Sequence, residues 1–277
     1  MGGRLPEELI VLGTGAAEGI PGLFCECAVC GEARRRGGKD SRTRASYQFG
    51  DTLKVDWPPD SLAQMQRCGL DYSRLRHLLI THSHHDHFFP ADLAMRQPGF
   101  SIVTTPLHLY GNSATLRVAK RALRRWRNHH LTMHLLRPGD RLRVGDYQVL
   151  AIPAHHAPLE QAMNFVIQRS GFSVLVGADT GWWTEDAWSL LSGEHLDVVL
   201  MDCTYGSRNE NQHHLGAPVV IELKNLMLER RLIGQDTRFF ATHFSHNGAT
   251  LHHQLEDMLT PHGIEVAYDG LRIPLSR

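Results

Sequence analysis

The segment 81–87, Thr-His-Ser-His-His-Asp-His, places five potential metal ligands within seven residues. Imidazole and carboxylate groups are ligands that suit Zn, Mn or Fe. Alternating histidines followed by an adjacent acid and histidine can supply two neighbouring metal centres. His82 and His84 are the candidates for one centre, and Asp86 and His87 are the candidates for the other. The alternative is a chance cluster in a chain with 19 histidines, but a run of this kind is far more specific than isolated pairs.

Apolar strands must position these ligands. Residues 77–80, His-Leu-Leu-Ile, are predicted to be the end of a buried strand, so the ligand run lies on the loop that leaves it. Three later apolar segments, 149–153, 172–177 and 239–242, are also predicted strands, and each is followed within two residues by a histidine or an aspartate. Further ligands can therefore be sought at the ends of those strands.

A second group of metal-binding side chains consists of thiols. Cys25, Cys27 and Cys30 lie within six positions, and three thiolates can converge on one tetrahedral Zn. A closed structural site needs a fourth ligand, which must come from elsewhere in the chain. The alternative is three reduced cysteines without a metal. The chain has five cysteines, an odd number, which favours a cytosolic protein that binds metal through thiols over a disulfide-framed secreted protein.

Length and composition indicate a single domain over residues 1–277 with an ordinary globular core: 42% of the residues are hydrophobic and 21% are charged. The formal net charge is zero, so a nucleic-acid partner is not expected. The N-terminus has no apolar signal segment, and no apolar stretch approaches the length of a membrane span. We therefore expect a cytoplasmic protein without a membrane partner.

Four other segments complete the predicted elements. Residues 47–55 are predicted to form a hairpin that turns at Gly50-Asp51, and residues 113–126 an amphipathic helix with a basic outer face. Residues 34–44 are basic and contain glycine, which predicts a solvated surface loop. Gly13-Thr14-Gly15 follows an apolar strand, but Glu18 stands where a dinucleotide-binding fingerprint would have its third glycine. We therefore expect a tight turn beside the metal site there.

The His-x-His-x-Asp-His run resembles the hallmark of the metallo-β-lactamase superfamily. Gly-Thr-Gly followed by Gly-Leu-Phe-Cys-x-Cys-x-x-Cys resembles one branch of it, the 5-phosphoribosyl 1,2-cyclic phosphate phosphodiesterases of phosphonate metabolism. The resemblance extends from Gly13 to about Gly270. It implies an α+β fold, an αββα sandwich of two mixed sheets flanked by helices, with a two-metal hydrolytic site at one edge.

The resemblance also implies a complete set of metal ligands. In the histidine pair that follows strand 149–153, the family pattern Pro-x-x-His selects His156, and His155 remains the alternative. The implied ligands of the two active-site ions, Mn or Zn, are His82, His84 and His156 for the first, Asp86, His87 and His243 for the second, and Asp179 between them. The implied ligands of one structural Zn are Cys25, Cys27, Cys30 and His246, which lies three residues after His243.

Other residues receive supporting or catalytic roles by the same resemblance. Asp56 would support the metal-binding loop, although Trp57-Pro58-Pro59 departs from the usual Asp-x-Gly. His214 corresponds to a catalytic histidine near the phosphate that binds no metal, and its alternative is a surface histidine. Asp86 is implied in catalysis as well as in metal binding. Asp202 is either an acceptor that orients a ligand histidine or a helix cap, and both interpretations stay open.

These residues predict a hydrolase in which two ions share a water and lower its pKa, so that hydroxide attacks a phosphodiester. The expected substrate is a small cyclic phosphate, with a ribosyl cyclic phosphate as the family's example. Two alternatives are a tRNA 3′-processing nuclease and a non-catalytic metal-binding accessory protein of cofactor biosynthesis. The sequence leaves open whether the chain forms a homodimer.

Overall fold

Two seven-stranded sheets make up the centre of the protein, as seen in a computed structural model that describes residues 8–123 and 129–275. The strands of the first sheet are β1 (Glu8–Gly13), β2 (Ser46–Phe49), β3 (Leu53–Val55), β4 (His77–Leu79), β5 (Leu107–Gly111), β6 (Leu131–Leu135) and β14 (Leu271–Pro274). The strands of the second sheet are β7 (Arg141–Val144), β8 (Tyr147–Pro153), β9 (Met163–Arg169), β10 (Phe172–Gly177), β11 (Val198–Asp202), β12 (Arg238–Thr242) and β13 (Ile264–Val266).

Helices cover the outer faces of the two sheets. They are α1 (Ala28–Arg36), α2 (Ser61–Cys68), α3 (Ser113–Ala122), α4 (Glu185–Leu191), α5 (Ala217–Glu229) and α6 (His252–Leu259). None of the helices within the described ranges is both long and apolar enough to span a membrane.

Each sheet is half antiparallel and half parallel. The first has the order β14-β1-β2-β3-β4-β5-β6, in which pairing changes from antiparallel to parallel at β3. The second has the order β13-β12-β11-β10-β9-β8-β7, in which pairing changes at β10. The expected αββα sandwich of two mixed sheets is confirmed.

The packing explains why β1, β10, β11 and β12 are apolar over most of their length. The inner faces of the two sheets meet in one hydrophobic cluster that includes Tyr47, Phe165 and Phe240. On the outer sides, a second cluster lies under α4, α5 and α6, and a third lies under α3. Strands covered on both faces gain from apolar residues at every position, which is why the periodicity of these segments is weak.

Two of the predicted elements differ from the structure. Residues 34–44 are not a surface loop throughout: α1 ends at Arg36, and Arg42 is only 4% exposed. The guanidinium of Arg42 donates to Thr14 Oγ1 and to the carbonyl of Ala267, so burial of this charge is compensated by hydrogen bonds. The helix predicted over 113–126 ends at Ala122, and Trp126 lies outside the described residues.

The ends of the strands bring the candidate ligands to one edge of the sandwich. The loop 81–87 leaves β4 of the first sheet, whereas His156, Asp179 and His243 follow β8, β10 and β12 of the second. Asp56, Asp179 and His243 have positive φ angles of 61°, 60° and 60°. Such angles are uncommon for residues other than glycine, and they cluster at functional sites.

Candidate metal centre and active site

Asp56 anchors the loop 81–87 through hydrogen bonds to Thr81 and His87. Its Oδ1 accepts hydrogen bonds from the backbone N–H of Thr81 at 2.9 Å and from the Thr81 hydroxyl at 3.0 Å. Its Oδ2 lies 2.7 Å from Nδ1 of His87. With Nδ1 occupied as a donor, the lone pair of His87 is on Nε2, which faces the ligand cluster. Asp56 therefore occupies the supporting position that the sequence predicts, despite the unusual residues after it.

The first ligand group consists of His82, His84, His156 and Asp179, whose ligand atoms all lie within 4.8 Å of one another. His156 Nε2 is 3.2 Å from His84 Nδ1. His82 Nε2 is 3.1 Å from Asp179 Oδ2 without hydrogen-bond geometry. Burial lowers the pKa of His156 to about 4, which keeps the imidazole in the neutral form that binds a metal.

The second ligand group consists of Asp86, His87, Asp179 and His243, all of them buried. His87 Nε2 is 3.2 Å from His243 Nε2 and 2.9 Å from Asp179 Oδ2. Burial opposes protonation of His87, but the carboxylates of Asp86, Asp56 and Asp179 outweigh it and raise its pKa well above the usual value. Asp179 belongs to both groups, so its position is that of a ligand shared by two ions.

Divalent metal ions fit these two groups. Two nitrogens bound tetrahedrally to one ion at about 2.05 Å are separated by roughly 3.3 Å, close to the 3.2 Å that separates each histidine pair. His82 Nε2 and Asp179 Oδ1 are buried and lack a hydrogen-bond partner among the described residues. Buried polar atoms are rarely left unpaired, and a bound cation would satisfy both.

The structure gives the adjacent residues His155 and His156 different surroundings. His155 is exposed, and its Nδ1 faces the carbonyl oxygen of Trp182 at 3.1 Å, away from both ligand groups. His156 lies in the first group instead, with its Nδ1 3.2 Å from the carbonyl oxygen of His213. The geometry therefore favours His156 as the ligand.

His214 stands beside the ligands and contacts two carboxylates. Its Nδ1 lies 3.1 Å from Asp202 Oδ2 and 3.1 Å from Asp179 Oδ1. Burial alone would lower the pKa of His214, but Asp202 and then Asp179 raise it to about 9. An imidazolium with Nδ1 held by Asp202 keeps Nε2–H free to donate a proton.

Asp202 orients two histidines at once. It accepts from His214 directly, and Thr204 connects it to His243, because Thr204 Oγ1 lies 2.8 Å from His243 Nδ1 and 3.0 Å from Asp202 Oδ2. Asp202 also accepts from the backbone N–H groups of Thr204 and Leu215. Of the two interpretations left open, the structure places Asp202 as an acceptor that orients histidines, and it begins no helix.

The three cysteines 25, 27 and 30 form one cluster with His246 in the folded chain. Sγ of Cys25 and Sγ of Cys27 each lie 3.5 Å from His246 Nδ1, and Cys30 completes the cluster. Tetrahedral bonds of about 2.3 Å to sulfur and 2.05 Å to nitrogen separate the two ligand atoms by roughly 3.5 Å, so the spacing fits Zn. His246 Nε2 lies 3.5 Å from Glu18 Oε1, a carboxylate that can fix the orientation of the ring.

A cavity of about 210 Å³ opens over the metal groups. Its wall also includes Glu18, Tyr205 and Asn247. These residues, like Thr204 and Glu160, belong to no motif, so nothing in the sequence marks them as part of the site. Only their positions in the folded chain associate them with the site.

Residues 55–244, more than half of the chain, match the family model of the beta-lactamase superfamily domain. An octanoyltransferase of Porphyromonas gingivalis is 37% identical over 82 residues, which are 28% of this chain and only 16% of that protein.

Three solved structures share the fold over nearly the whole chain. A diphosphatase from the PhnP family has a TM-score of 0.77 at 23% identity, covering 97% of each chain. Zn²⁺-bound PqqB from Methylobacterium extorquens has a TM-score of 0.70 at 15% identity, covering 96% of this chain and 99% of that one. The short form of human tRNase Z has a TM-score of 0.67 at 17% identity, covering 98% and 100%.

The histidine and aspartate groups at the edge of this fold fit the binding of divalent metal ions. The family match spans the segment from β3 to the end of β12 that carries both groups. The chain belongs to the beta-lactamase superfamily.

Proposed function

We propose that this protein is a metal-dependent phosphodiesterase that hydrolyses a small cyclic phosphate, such as a ribosyl cyclic phosphate. The observation that carries the proposal is the pair of ligand groups that share Asp179, with His214 beside them in one small cavity. Two ions bound in these groups would supply a water of lowered pKa and offset the charge on the phosphoryl oxygens. Mn or Zn suits these ligands, and Zn suits the thiol group.

His214 would act on the leaving group. Asp202 holds Nδ1 of His214 and keeps the ring protonated near neutral pH, because its carboxylate raises the pKa of His214. Proton donation from Nε2 to a departing sugar alkoxide avoids the release of a strongly basic anion. Asp56 and Thr204 would keep His87 and His243 in the tautomers that present Nε2 to the ions.

The dimensions and charge of the cavity favour a small substrate over a polymer. About 210 Å³ is below the usual size of sites for drug-sized molecules, and Glu18 contributes a carboxylate to the wall of the cavity. That carboxylate would repel further phosphates of a nucleic acid, whereas it could accept hydrogen bonds from sugar hydroxyls. The reduced thiols suit a cytoplasmic location, which we include in the proposal.

A nuclease acting on tRNA is the second candidate. One observation favours it: Arg117, Lys120 and Arg121 of α3 are exposed and border an open groove. Cations along a helix can contact the phosphates of RNA. The neutral charge of the whole chain argues for the small substrate instead.

The test is a substrate panel with metal-loaded and metal-stripped protein. Hydrolysis of bis(p-nitrophenyl) phosphate and of a ribosyl 1,2-cyclic phosphate should be lost with the active-site metals and restored by Mn²⁺ or Zn²⁺. p-Nitrophenyl phosphate, a monoester, is the matched control and should be cleaved far more slowly. Cleavage of precursor tRNA in preference to the cyclic phosphate would select the second candidate. Activity that persists after both ions are removed would overturn both.

A further inference from the structure

The side chain of Glu160 joins three separate segments next to the metal groups. Its Oε1 accepts from the Ser83 hydroxyl at 2.8 Å, and both carboxylate oxygens accept from the Ser83 backbone N–H, at 3.2 Å and 3.0 Å. Its Oε2 also accepts from Asn112 Nδ2 at 2.8 Å. Ser83 lies on the metal-binding loop, Asn112 lies at the end of β5, and Glu160 lies on the loop between β8 and β9.

Only a carboxylate satisfies this set of partners. Ser83 N–H, Ser83 O–H and the amide group of Asn112 are all donors in these contacts, and an ionised Glu160 offers two acceptor oxygens and no donor. Asn112 is 1% exposed, and its amide is fixed on both sides: Oδ1 accepts from Thr115 N–H at 2.9 Å, and Nδ2 also donates to the Gln161 carbonyl. A glutamine at position 160 would turn its own NH₂ group towards one of these donors.

The hydrogen bonds of Glu160 link the segments that carry the first ligand group, His82, His84 and His156. Ser83 stands between His82 and His84, and the loop that carries Glu160 also carries His156, so Glu160 fixes the three histidines of the first group relative to one another. The histidines of the second group are oriented by other residues: Asp56 holds His87, and Thr204 holds His243.

We propose that Glu160 is a positioning residue that keeps the metal-binding loop 81–87 and the His156 loop together, and so sets the affinity of the ion held by His82, His84 and His156. Groups that orient metal ligands typically change metal affinity by about 10-fold to 100-fold when they are removed. The effect should therefore fall on one ion of the pair. This inference rests on the proposed two-metal site.

The experiment titrates metal-stripped protein with Mn²⁺ and follows binding by electron paramagnetic resonance and calorimetry. Wild type should bind two active-site ions. Glu160→Gln and Glu160→Ala should weaken one of them by at least about tenfold, leave the other unchanged, and retain the melting temperature of the metal-free protein. His243→Ala, which removes a ligand of the second group, identifies which ion is which. Glu210→Gln, an exposed glutamate on the loop before α5, is the matched control.

A double variant gives a second, independent measurement. Ser83→Ala removes the hydroxyl donor of the same contact, so its effect on the affinity for Mn²⁺ should not add to that of Glu160→Gln. Additive effects, equal weakening of both ions, or unchanged affinities would each overturn the proposal for Glu160. If wild type binds neither Mn²⁺ nor Zn²⁺ at these groups, the proposed function itself fails, which is a different outcome from two ions bound normally in all the Glu160 variants.

Discussion

At the scale of single residues, His214 is distinguished by its two carboxylate contacts. Its Nδ1 is equally distant from Asp202 and Asp179, yet it belongs to neither of the two ligand groups that contain the 81–87 loop. Asp202 is a direct hydrogen-bond partner, whereas Asp179 would be engaged by the ions in the loaded enzyme. An aspartate that holds a histidine in one tautomer is a recurring arrangement for proton transfer.

The corresponding prediction is that His214→Ala slows turnover of a ribosyl cyclic phosphate by on the order of a hundredfold or more, while both metals stay bound. The loss should be smaller for bis(p-nitrophenyl) phosphate, because nitrophenolate leaves with little need for a proton. Steady-state rates of both substrates, with metal content measured on the same samples, check this.

The neighbouring His213→Ala is the control, since His213 is exposed and contacts His156 only through its backbone carbonyl. Equal losses on both substrates would assign His214 to phosphate binding instead of proton donation. No loss on either substrate would make it a surface histidine without a catalytic role.

At the scale of elements, two groups of side chains connect parts of the chain that are far apart in sequence. Cys25 and Cys27 precede α1, Cys30 lies in the first turn of α1, and the turn after β12 supplies His246. Cys27 also caps α1, because its Sγ accepts from the backbone N–H of Cys30 at 3.4 Å. A metal in this cluster would therefore connect the start of α1 with the end of a central strand.

We expect His246→Ala to lower both the zinc content and the melting temperature. Loss of a structural metal belongs to the changes that cost more than about 4 kcal/mol, which corresponds to a fall on the order of 10 °C for a chain of this size. Turnover should change little when it is normalised to the protein molecules that retain both active-site ions. His253→Ala, an exposed histidine seven residues later, serves as the comparison. Retained zinc and stability with lost turnover would place His246 in the active site.

Three histidines lie near the start of β4, at the end away from the loop 81–87, and they predict a dependence of stability on pH. His77, His108 and His134 lie on adjacent strands, with His77 stacked on His108 at 5.4 Å and His108 Nδ1 2.9 Å from His134 Nε2. Burial first, then His108, His134 and Arg76, lower the pKa of His77 to about 4, although Asp146 opposes the shift.

The folded protein thus keeps His77 neutral where the unfolded chain, with its ordinary pKa of 6.5, becomes protonated. The stability contributed by this site is complete above about pH 6.5 and is lost as the pH falls towards 4. His77→Gln should therefore show a smaller drop in melting temperature between about pH 7.5 and about pH 5 than wild type. His262→Gln, at an exposed site, should behave as wild type. If the melting temperatures of all three proteins fell equally between these pH values, His77 would not be the source of the pH dependence.

At the scale of the whole molecule, the two ligand groups lie where loops of the two sheets meet at one edge of the sandwich. Each ligand group takes residues from both: the 81–87 loop belongs to the first sheet, and His156, Asp179 and His243 belong to the second. Bound ions would therefore stabilise the sandwich as well as act on a substrate.

The metal-free protein should consequently melt at a lower temperature than the Mn²⁺-loaded protein. Saturation of one site at a hundred times its dissociation constant stabilises by about 2.7 kcal/mol, which corresponds to roughly 5–10 °C. Mn²⁺ is suitable because it prefers nitrogen and oxygen ligands to thiolates, so it reports on the active site and not on the cysteine cluster. His84→Ala should reduce the shift. A melting temperature that does not respond to Mn²⁺ would show that the ions do not connect the sheets.

The sequence by itself determined the types of ligand and their places along the chain. The 81–87 run, Asp179 and His243 each follow an apolar strand, and this order is readable because strand ends are local features of composition. The cysteine cluster was equally visible, since its three thiols lie within six positions. The resemblance built on these motifs predicted the two mixed sheets, which the structure confirms.

The resemblance implied which groups meet, but only the tertiary structure decided how they do so. His84 and His156 are 72 residues apart, His87 and His243 are 156 residues apart, and no local pattern encodes how the two sheets bring them together. The role of Asp202 and the contacts of Glu160 depend on loop conformations at that junction. These features escape the sequence because a hydrogen bond between distant loops is specified by the packing of the strands that carry them, and not by the residues next to it.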